Sequence, residues 1–170
     1  MKHLLHYIGL TAIGLTTAIL LYPLLHELGH VVASLVLGAE ISNLKLFPLP
    51  SVMCKLNTSN VLYVVFVCFN GMLLPYMVSI IPPEKHFWNW YIWFVISGIC
   101  LLSFVISIIS IVSYRIGRPM ANEDITQALI YAPQYHVLYI VVLVVLSLLR
   151  IVQIVHTHPI QRCLKHFEIL

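Results

Sequence analysis

Long, continuous apolar stretches dominate this chain. Hydrophobic residues make up 61% of its 170 residues and charged residues only 9%, and the mean hydropathy is +0.97. A soluble domain of this length has too little interior to bury so much apolar surface. In lipid, only helices and closed barrels satisfy the backbone hydrogen bonds, and unbroken apolar runs favour helices. The sequence therefore predicts an all-α, polytopic membrane protein.

Four apolar runs are long enough to cross the ~30 Å hydrocarbon core of a bilayer as helices. They cover residues 8–37, 60–81, 87–113 and 135–155. Pro23 is expected to kink the first helix, and Gly38 is expected to end it. The sequence predicts one membrane-embedded domain over residues 1–170, and hence an integral, multi-pass location.

Shorter segments separate the apolar runs. Residues 41–56 contain Pro48 and Pro50 and are expected to form a short hairpin or a surface loop. A short helix is expected up to Ala132, and the tail after residue 155 is expected to lie on the membrane surface. The net charge of +3 is spread thinly, so nucleic-acid binding is not expected. Lysine and arginine divide almost equally between the two sides, which leaves the orientation open.

The most specific motif is His26-Glu27-Leu28-Gly29-His30, which lies inside the first apolar run. Helical geometry puts the two histidines on one face, where their rings can hold one Zn²⁺. The glutamate beside them can act as the general base for water at the metal. Ionisable groups inside an apolar span are costly and mark a functional site. The motif therefore predicts His26 and His30 as ligands of one zinc ion per chain, with Glu27 as the catalytic residue of an intramembrane zinc protease.

A catalytic zinc site normally has a third protein ligand and leaves its fourth position open. Asp124 is the only aspartate in the chain, and it follows the third apolar run on the side toward which the motif is displaced. Asn122 is expected to cap the helix that begins there, which leaves Asp124 in a first turn where the helix dipole favours an ionised carboxylate. Asp124 is therefore predicted as the third ligand, with Glu123 and His136 as the alternatives.

Asn70 is another polar residue within a predicted span. An asparagine in such a place commonly forms a hydrogen bond between two helices. Its amide can also donate to a substrate carbonyl or to a developing oxyanion. Asn70 is therefore interpreted either as a packing residue or as a substrate-binding residue.

These residues resemble the site-2 protease family of intramembrane zinc metallopeptidases. The likeness consists of the motif at 26–30, Ile41-Ser42-Asn43-Leu44-Lys45-Leu46, Asn70-Gly71 with Pro75, and the segment from Asn122 to Leu129 with Pro133. The last segment is most similar to the small, compact branch of that family. Together the matching pieces cover the chain from about residue 26 to residue 134.

The resemblance implies a zinc-dependent endopeptidase that cuts a transmembrane protein within or near the bilayer. It makes His26, His30 and Asp124 the zinc ligands and Glu27 the base. The implied partners are a transmembrane protein substrate and the lipid bilayer, and a regulatory membrane partner is left open. Two other functions are also considered: a non-catalytic membrane protein with a structural zinc site, and a small proton or metal transporter subunit that uses the same residues as a relay.

A helical substrate presents a difficulty, because its peptide bonds are shielded by their own hydrogen bonds. Such a substrate must unwind locally before it can be hydrolysed. We expect the 41–56 segment to offer a strand edge with which the unwound substrate can pair.

Overall fold

The computed structural model describes residues 2–45, 50–55, 60–121 and 123–167. In this part of the chain there are seven α-helices and one two-stranded sheet. In chain order the elements are α1 (Lys2–Thr16), α2 (Tyr22–Val36), β1 (Glu40–Lys45), β2 (Ser51–Lys55), α3 (Val61–Val78), α4 (Phe87–Arg115), α5 (Asp124–Tyr131), α6 (His136–His156) and α7 (Pro159–His166). A π-helical segment, Thr17–Leu21, joins α1 to α2, and a 3₁₀ turn, Pro133–Tyr135, precedes α6.

Four helical stretches are long and apolar enough to cross a membrane. They are Leu4–Val36, Val61–Val78, Phe87–Arg115 and Pro133–His166. Large apolar side chains such as Leu102, Val141 and Val152 remain exposed on their outer faces, as contact with lipid requires. The predicted fold class, all-α and polytopic with four spans and a short hairpin after the first, is confirmed.

The first span is irregular just before Pro23. The N–H of Tyr22 donates to the carbonyl of Thr17, five residues earlier, so one π-helical turn replaces the regular α-helical pattern. Proline has no N–H for the carbonyl four residues before it, and a π-bulge is a common way to absorb this loss. The irregularity expected at Pro23 is thus a π-helical turn. Gly38 then ends the helix in the left-handed region, with φ of +69°.

The core lies between α3, α4, α5 and α6. The short helix α5 buries one face there, because Ile125, Ala128 and Leu129 are completely buried. They pack with buried aromatic residues of the neighbouring helices, among them Phe69 and Phe104. Helix α5 is too short to cross a membrane, and this burial fixes its position between the spans.

The charge of Arg150, in α6, is completely buried. Its Nη1 donates to the carbonyl of Ser79 at 2.7 Å and to Ser97 Oγ at 3.2 Å, and its Nη2 donates to the carbonyl of Tyr76 at 2.8 Å. The guanidinium carbon lies 4.1 Å from the centre of the Tyr76 ring. The last carbonyls of a helix have no partner within the helix and carry partial negative charge. Arg150 therefore neutralises the end of α3 and joins α6 to it.

The hairpin expected within residues 41–56 is present. Strands β1 and β2 pair antiparallel, with Leu44 opposite Val52 and a bulge between Ile41 and Asn43. The predicted surface tail contains α7, whose contacts are described below.

Helices α2 and α3 approach each other very closely at Gly29. A Cβ atom on Gly29 would overlap the backbone carbonyl of Asn70 and lie 3.0 Å from Gly71 Cα. Glycine is required here because backbone atoms, unlike a flexible side chain, have little freedom to move aside. The glycine of the motif thus sets the distance between the two helices.

We predict that Gly29→Ala destabilises the fold, because the added methyl group must push α2 away from α3. Overpacking of this kind costs about 1–3 kcal/mol, which corresponds to a drop of several degrees in Tm for a chain of this size. The measurement is thermal unfolding of the detergent-purified protein.

Gly98→Ala is the matched control, because Gly98 is also helical but a Cβ there would meet no atom within 4 Å. Alanine is the better helix former, so this variant should unfold at the same temperature or slightly higher. Equal Tm values for the two variants would contradict the close contact at Gly29.

Candidate metal centre

Helix α2 presents His26 and His30 on the same face, one turn apart. Their Nε2 atoms lie 3.3 Å from each other, and their ring planes are almost perpendicular, at 82°. Gly71 of α3 faces both rings, and a Cβ there would lie 2.5 Å from His30 Nε2 and 2.9 Å from His26 Cε1. The absence of a side chain on Gly71 therefore leaves room for the two rings to converge.

Asp124, at the start of α5, lies against both histidines. Its Oδ2 is 3.0 Å from His26 Nε2 and 3.3 Å from His30 Nε2. One donor atom from each of the three residues lies within 4.8 Å of the others, so together they can hold a metal ion. The side chains of His26 and Asp124 are 25% and 28% exposed, so water can reach this group.

The orientation of His30 is set by a backbone carbonyl. Its Nδ1 lies 2.9 Å from the oxygen of Val67, and because a carbonyl only accepts, Nδ1 must carry the proton. In a neutral ring Nε2 then presents a lone pair to the Asp124 carboxylate and to His26. Such an outer hydrogen bond is typical of metal-binding histidines. Two acceptors that face each other at 3.3 Å require a cation between them, either a proton or a metal ion.

The carboxyl group of Asp124 is ionised at neutral pH. Burial alone would raise its pKa, but when the rings of His26 and His30 are protonated, their hydrogen bonds and positive charge outweigh burial, so that its pKa lies well below the usual value. An ionised carboxylate is the form that a metal ion binds.

The two alternatives for the third ligand have other partners. Glu123 Oε2 accepts from the N–H of Thr126 at 2.9 Å and caps α5, and its Oε1 accepts from Ser107 Oγ of α4 at 2.9 Å. His136 Nδ1 donates to the carbonyl of Pro133 at 3.0 Å. In the described part of the chain, the group of residues able to hold an ion therefore contains Asp124 and neither alternative.

The cap prediction was wrong by one residue. Asn122 lies outside the described residues, and the side chain that caps α5 belongs to Glu123. Asp124 still lies in the first turn of α5, as predicted. The glutamate side chain is long enough to reach both the N-terminus of α5 and Ser107. The contact with Ser107 depends on how the helices pack, so no local sequence signal reveals it.

Glu27 lies next to the histidines and contacts the hairpin. Its Oε2 accepts from the backbone N–H of Val52 in β2 at 2.9 Å. This N–H is therefore directed away from β1, on the open edge of the sheet. Glu27 is half-buried, and its predicted catalytic role remains a prediction.

Asn70 does not form the predicted interhelical hydrogen bond. Its Nδ2 donates to the carbonyl of Phe66, one turn earlier in the same helix, at 2.8 Å. The residue takes part in the α2–α3 contact through its backbone carbonyl, as described above. Its role in substrate binding remains a prediction.

An open cavity of about 510 Å³ adjoins the metal centre. His30 and Asp124 line it from one side and Val52 and Cys54 of β2 from another, and Gln127 completes this part of the wall. Most of the remaining lining is apolar and includes Met53, Val64 and Val67. The lining also places the hairpin beside His30 and Asp124.

Comparisons with known proteins identify no relative: no family model, no curated protein and no solved structure matches the chain. The resemblance to the site-2 protease family therefore stays a prediction that depends on the residues themselves. Sequence reasoning did not identify Val67, Ser107 or Val52, and it noted Gly71 only as part of the family likeness. Each of these residues acts through an atom or a contact that is defined only after the helices have packed.

We predict that Glu123→Ala weakens Zn²⁺ binding about 10- to 100-fold, the usual effect of removing a residue that orients a metal ligand. The variant loses the cap of α5 and the hydrogen bond to Ser107, so Asp124 is held less firmly. The measurement is competition for Zn²⁺ with a chelating dye in detergent. Asp124→Ala should bind Zn²⁺ more weakly still, because a ligand itself is lost.

Two controls make this prediction sharper. Glu123→Gln keeps one acceptor oxygen for the N–H of Thr126 and should recover part of the affinity. Glu84→Ala removes an exposed carboxylate outside this group and should bind like the wild type. Wild-type affinity in Glu123→Ala would show that other contacts position Asp124.

Proposed function

We propose that the protein is an integral, multi-pass zinc metalloendopeptidase that hydrolyses a peptide bond in a transmembrane protein substrate. The observation that carries this proposal is the convergence of His26, His30 and Asp124 beside Glu27, where an apolar span meets the short helix α5. Two histidines on one helix with a glutamate between them are the arrangement of zinc-dependent peptidases.

The spacing of the donor atoms supports zinc. Four ligands in a tetrahedron at about 2.0–2.1 Å from Zn²⁺ lie roughly 3.3 Å from one another. The three distances among His26 Nε2, His30 Nε2 and Asp124 Oδ2 are 3.0, 3.3 and 3.3 Å. Two imidazoles and one carboxylate also suit zinc better than calcium or magnesium, which prefer oxygen ligands.

Each residue of the site has a definite task in peptide hydrolysis. When bound, zinc supplies Lewis acidity, which polarises a carbonyl group and makes water more acidic. Glu27 accepts the proton of the attacking water and then delivers it to the leaving amine. The carbonyl of Val67 keeps His30 in the correct tautomer, and Glu123 holds Asp124 against the histidines.

The hairpin offers a place for an unwound substrate. The open edge of β2 faces the site, and its Val52 N–H is engaged by Glu27. A substrate segment that pairs with this edge as an added strand takes over that N–H. Glu27 is thereby released next to the scissile bond, and the peptide enters the cavity lined by Val52, Cys54 and Gln127.

The decisive experiment separates zinc binding from catalysis. Wild type should bind about one zinc per chain, Glu27→Gln should bind the same amount, and His26→Ala should bind much less. Each form is expressed in cells, and newly formed N-termini of membrane proteins are identified by mass spectrometry. Because removal of a general base costs about 10²- to 10⁴-fold, the N-termini produced by wild type should vanish in Glu27→Gln.

The other outcomes distinguish the alternatives. If the wild type binds zinc but produces the same N-termini as Glu27→Gln, the zinc site is structural and the protein is not a protease. If the protein transports ions across liposome membranes in a way that depends on Glu27, and cleaves no substrate, it is a transporter subunit in which these residues act as a relay. Absence of zinc after reconstitution would remove the protease proposal altogether.

A further inference from the structure

The end of the bundle opposite the hairpin is rich in basic side chains. Helix α3 begins near the hairpin and ends at Val78, and the connection of residues 79–86 then leads into α4. Helix α7 lies at the same end, because it follows α6 and its Arg162 donates to the carbonyl of Pro83 at 3.2 Å. The eighteen residues of α3 separate this end from the hairpin by about 27 Å.

Aromatic contacts hold α7 against the start of α4. The ring of His166 stacks on that of Phe87, with centroids 3.6 Å apart, and the guanidinium of Arg162 lies 5.6 Å from the centre of the Trp90 ring. Phe167 also stacks on Tyr7 of α1, with centroids 5.2 Å apart. Helix α7 is therefore a fixed wall of this end of the molecule.

A cavity of about 360 Å³ lies between α7 and residues 84–87. Its lining consists of Glu84, Lys85, Phe87, Arg162, Lys165 and His166. Three of these side chains are cations and one is a carboxylate. The cavity therefore carries an excess of positive charge.

In the described part of the chain, none of the cations of this cavity forms an ion pair with a carboxylate. Lys85 and Lys165 are exposed and form no hydrogen bond or ion pair with a described residue, and the described contacts of Arg162 are to a neutral carbonyl and a ring. An anion from outside the chain is the natural partner for such a group. The aromatic residues at the start of α4 place it at the depth where lipid headgroups lie.

We propose that this cavity binds the phosphate headgroup of an anionic phospholipid. Basic pockets between membrane helices recognise such headgroups. Ile81, at 78% exposed, and Ile160, at 74%, belong to the segments on either side of the cavity and offer apolar contact for acyl chains. The proposal depends on the membrane location proposed above and is independent of proteolysis.

The test is a titration of the detergent-purified protein with short-chain phosphatidylglycerol and with phosphatidylcholine of the same chain length. All three tryptophans of the chain, Trp88, Trp90 and Trp93, lie in the first turns of α4, so intrinsic fluorescence reports on this end. Wild type should bind phosphatidylglycerol more tightly, and rising salt concentration should weaken this binding.

The variant Lys85→Gln/Lys165→Gln should bind phosphatidylglycerol about 25-fold more weakly, since each basic residue near an anionic headgroup contributes about fivefold. The matched control is Lys45→Gln/Lys55→Gln, which removes two exposed lysines from the hairpin at the opposite end and should bind like wild type. The zinc content of both double variants should be unchanged, which separates this site from the metal centre.

Three results would overturn the proposal. The first is equal affinity of wild type for the two lipids, and the second is an equal loss of affinity in both double variants. The third is saturation of the site by inorganic phosphate at the same concentration, which would assign it to a free anion rather than to a lipid.

Discussion

The close contact between α2 and α3 is the constraint on which the site depends. Because Gly29 lets the backbone of Asn70 approach α2 directly, the carbonyl of Val67 comes within hydrogen-bonding distance of His30. Gly71 then leaves space where both histidine rings converge. A wider separation of these helices would leave His30 without the acceptor that fixes its tautomer. The tautomer of His30 and the direction of both histidine rings thus depend on the close contact between α2 and α3.

Two neighbouring carboxylates complete this arrangement by pointing to different helices. Asp124 faces the histidines of α2, whereas Glu123 binds Ser107 of α4 and caps α5. Helix α5 is short, and an isolated helix of eight residues is unstable in water. Burial of its apolar face and the contacts of Glu123 therefore hold Asp124, its first residue, against the two histidines. If the two residues exchanged roles, the longer glutamate side chain would face the histidines and the shorter aspartate side chain would cap α5.

The sequence alone was sufficient to predict the features that depend on long apolar runs or on the spacing of residues within one helix. The four spans followed from the length of the apolar runs, and the shared face of His26 and His30 followed from helical geometry. Asp124 could be predicted because the chain has no other aspartate. The partners of Arg150 could not be predicted, since they lie more than fifty residues away in the chain and depend on how α3, α4 and α6 pack. The same holds for Ser107, which is one serine among several in α4.

Arg150 and His30 are both buried, but their polar atoms find partners in different ways. Both terminal nitrogens of Arg150 donate to acceptors supplied by the protein, so that this charge serves to join helices. At His30 the opposite holds, because the bond from Nδ1 to Val67 leaves a neutral Nε2 as an acceptor that faces the acceptor oxygen of Asp124. A proton on His30 Nε2 satisfies both atoms, and so does a metal ion between them. The ring and the carboxylate are therefore oriented for a positive charge, and the adjoining cavity connects this position to water.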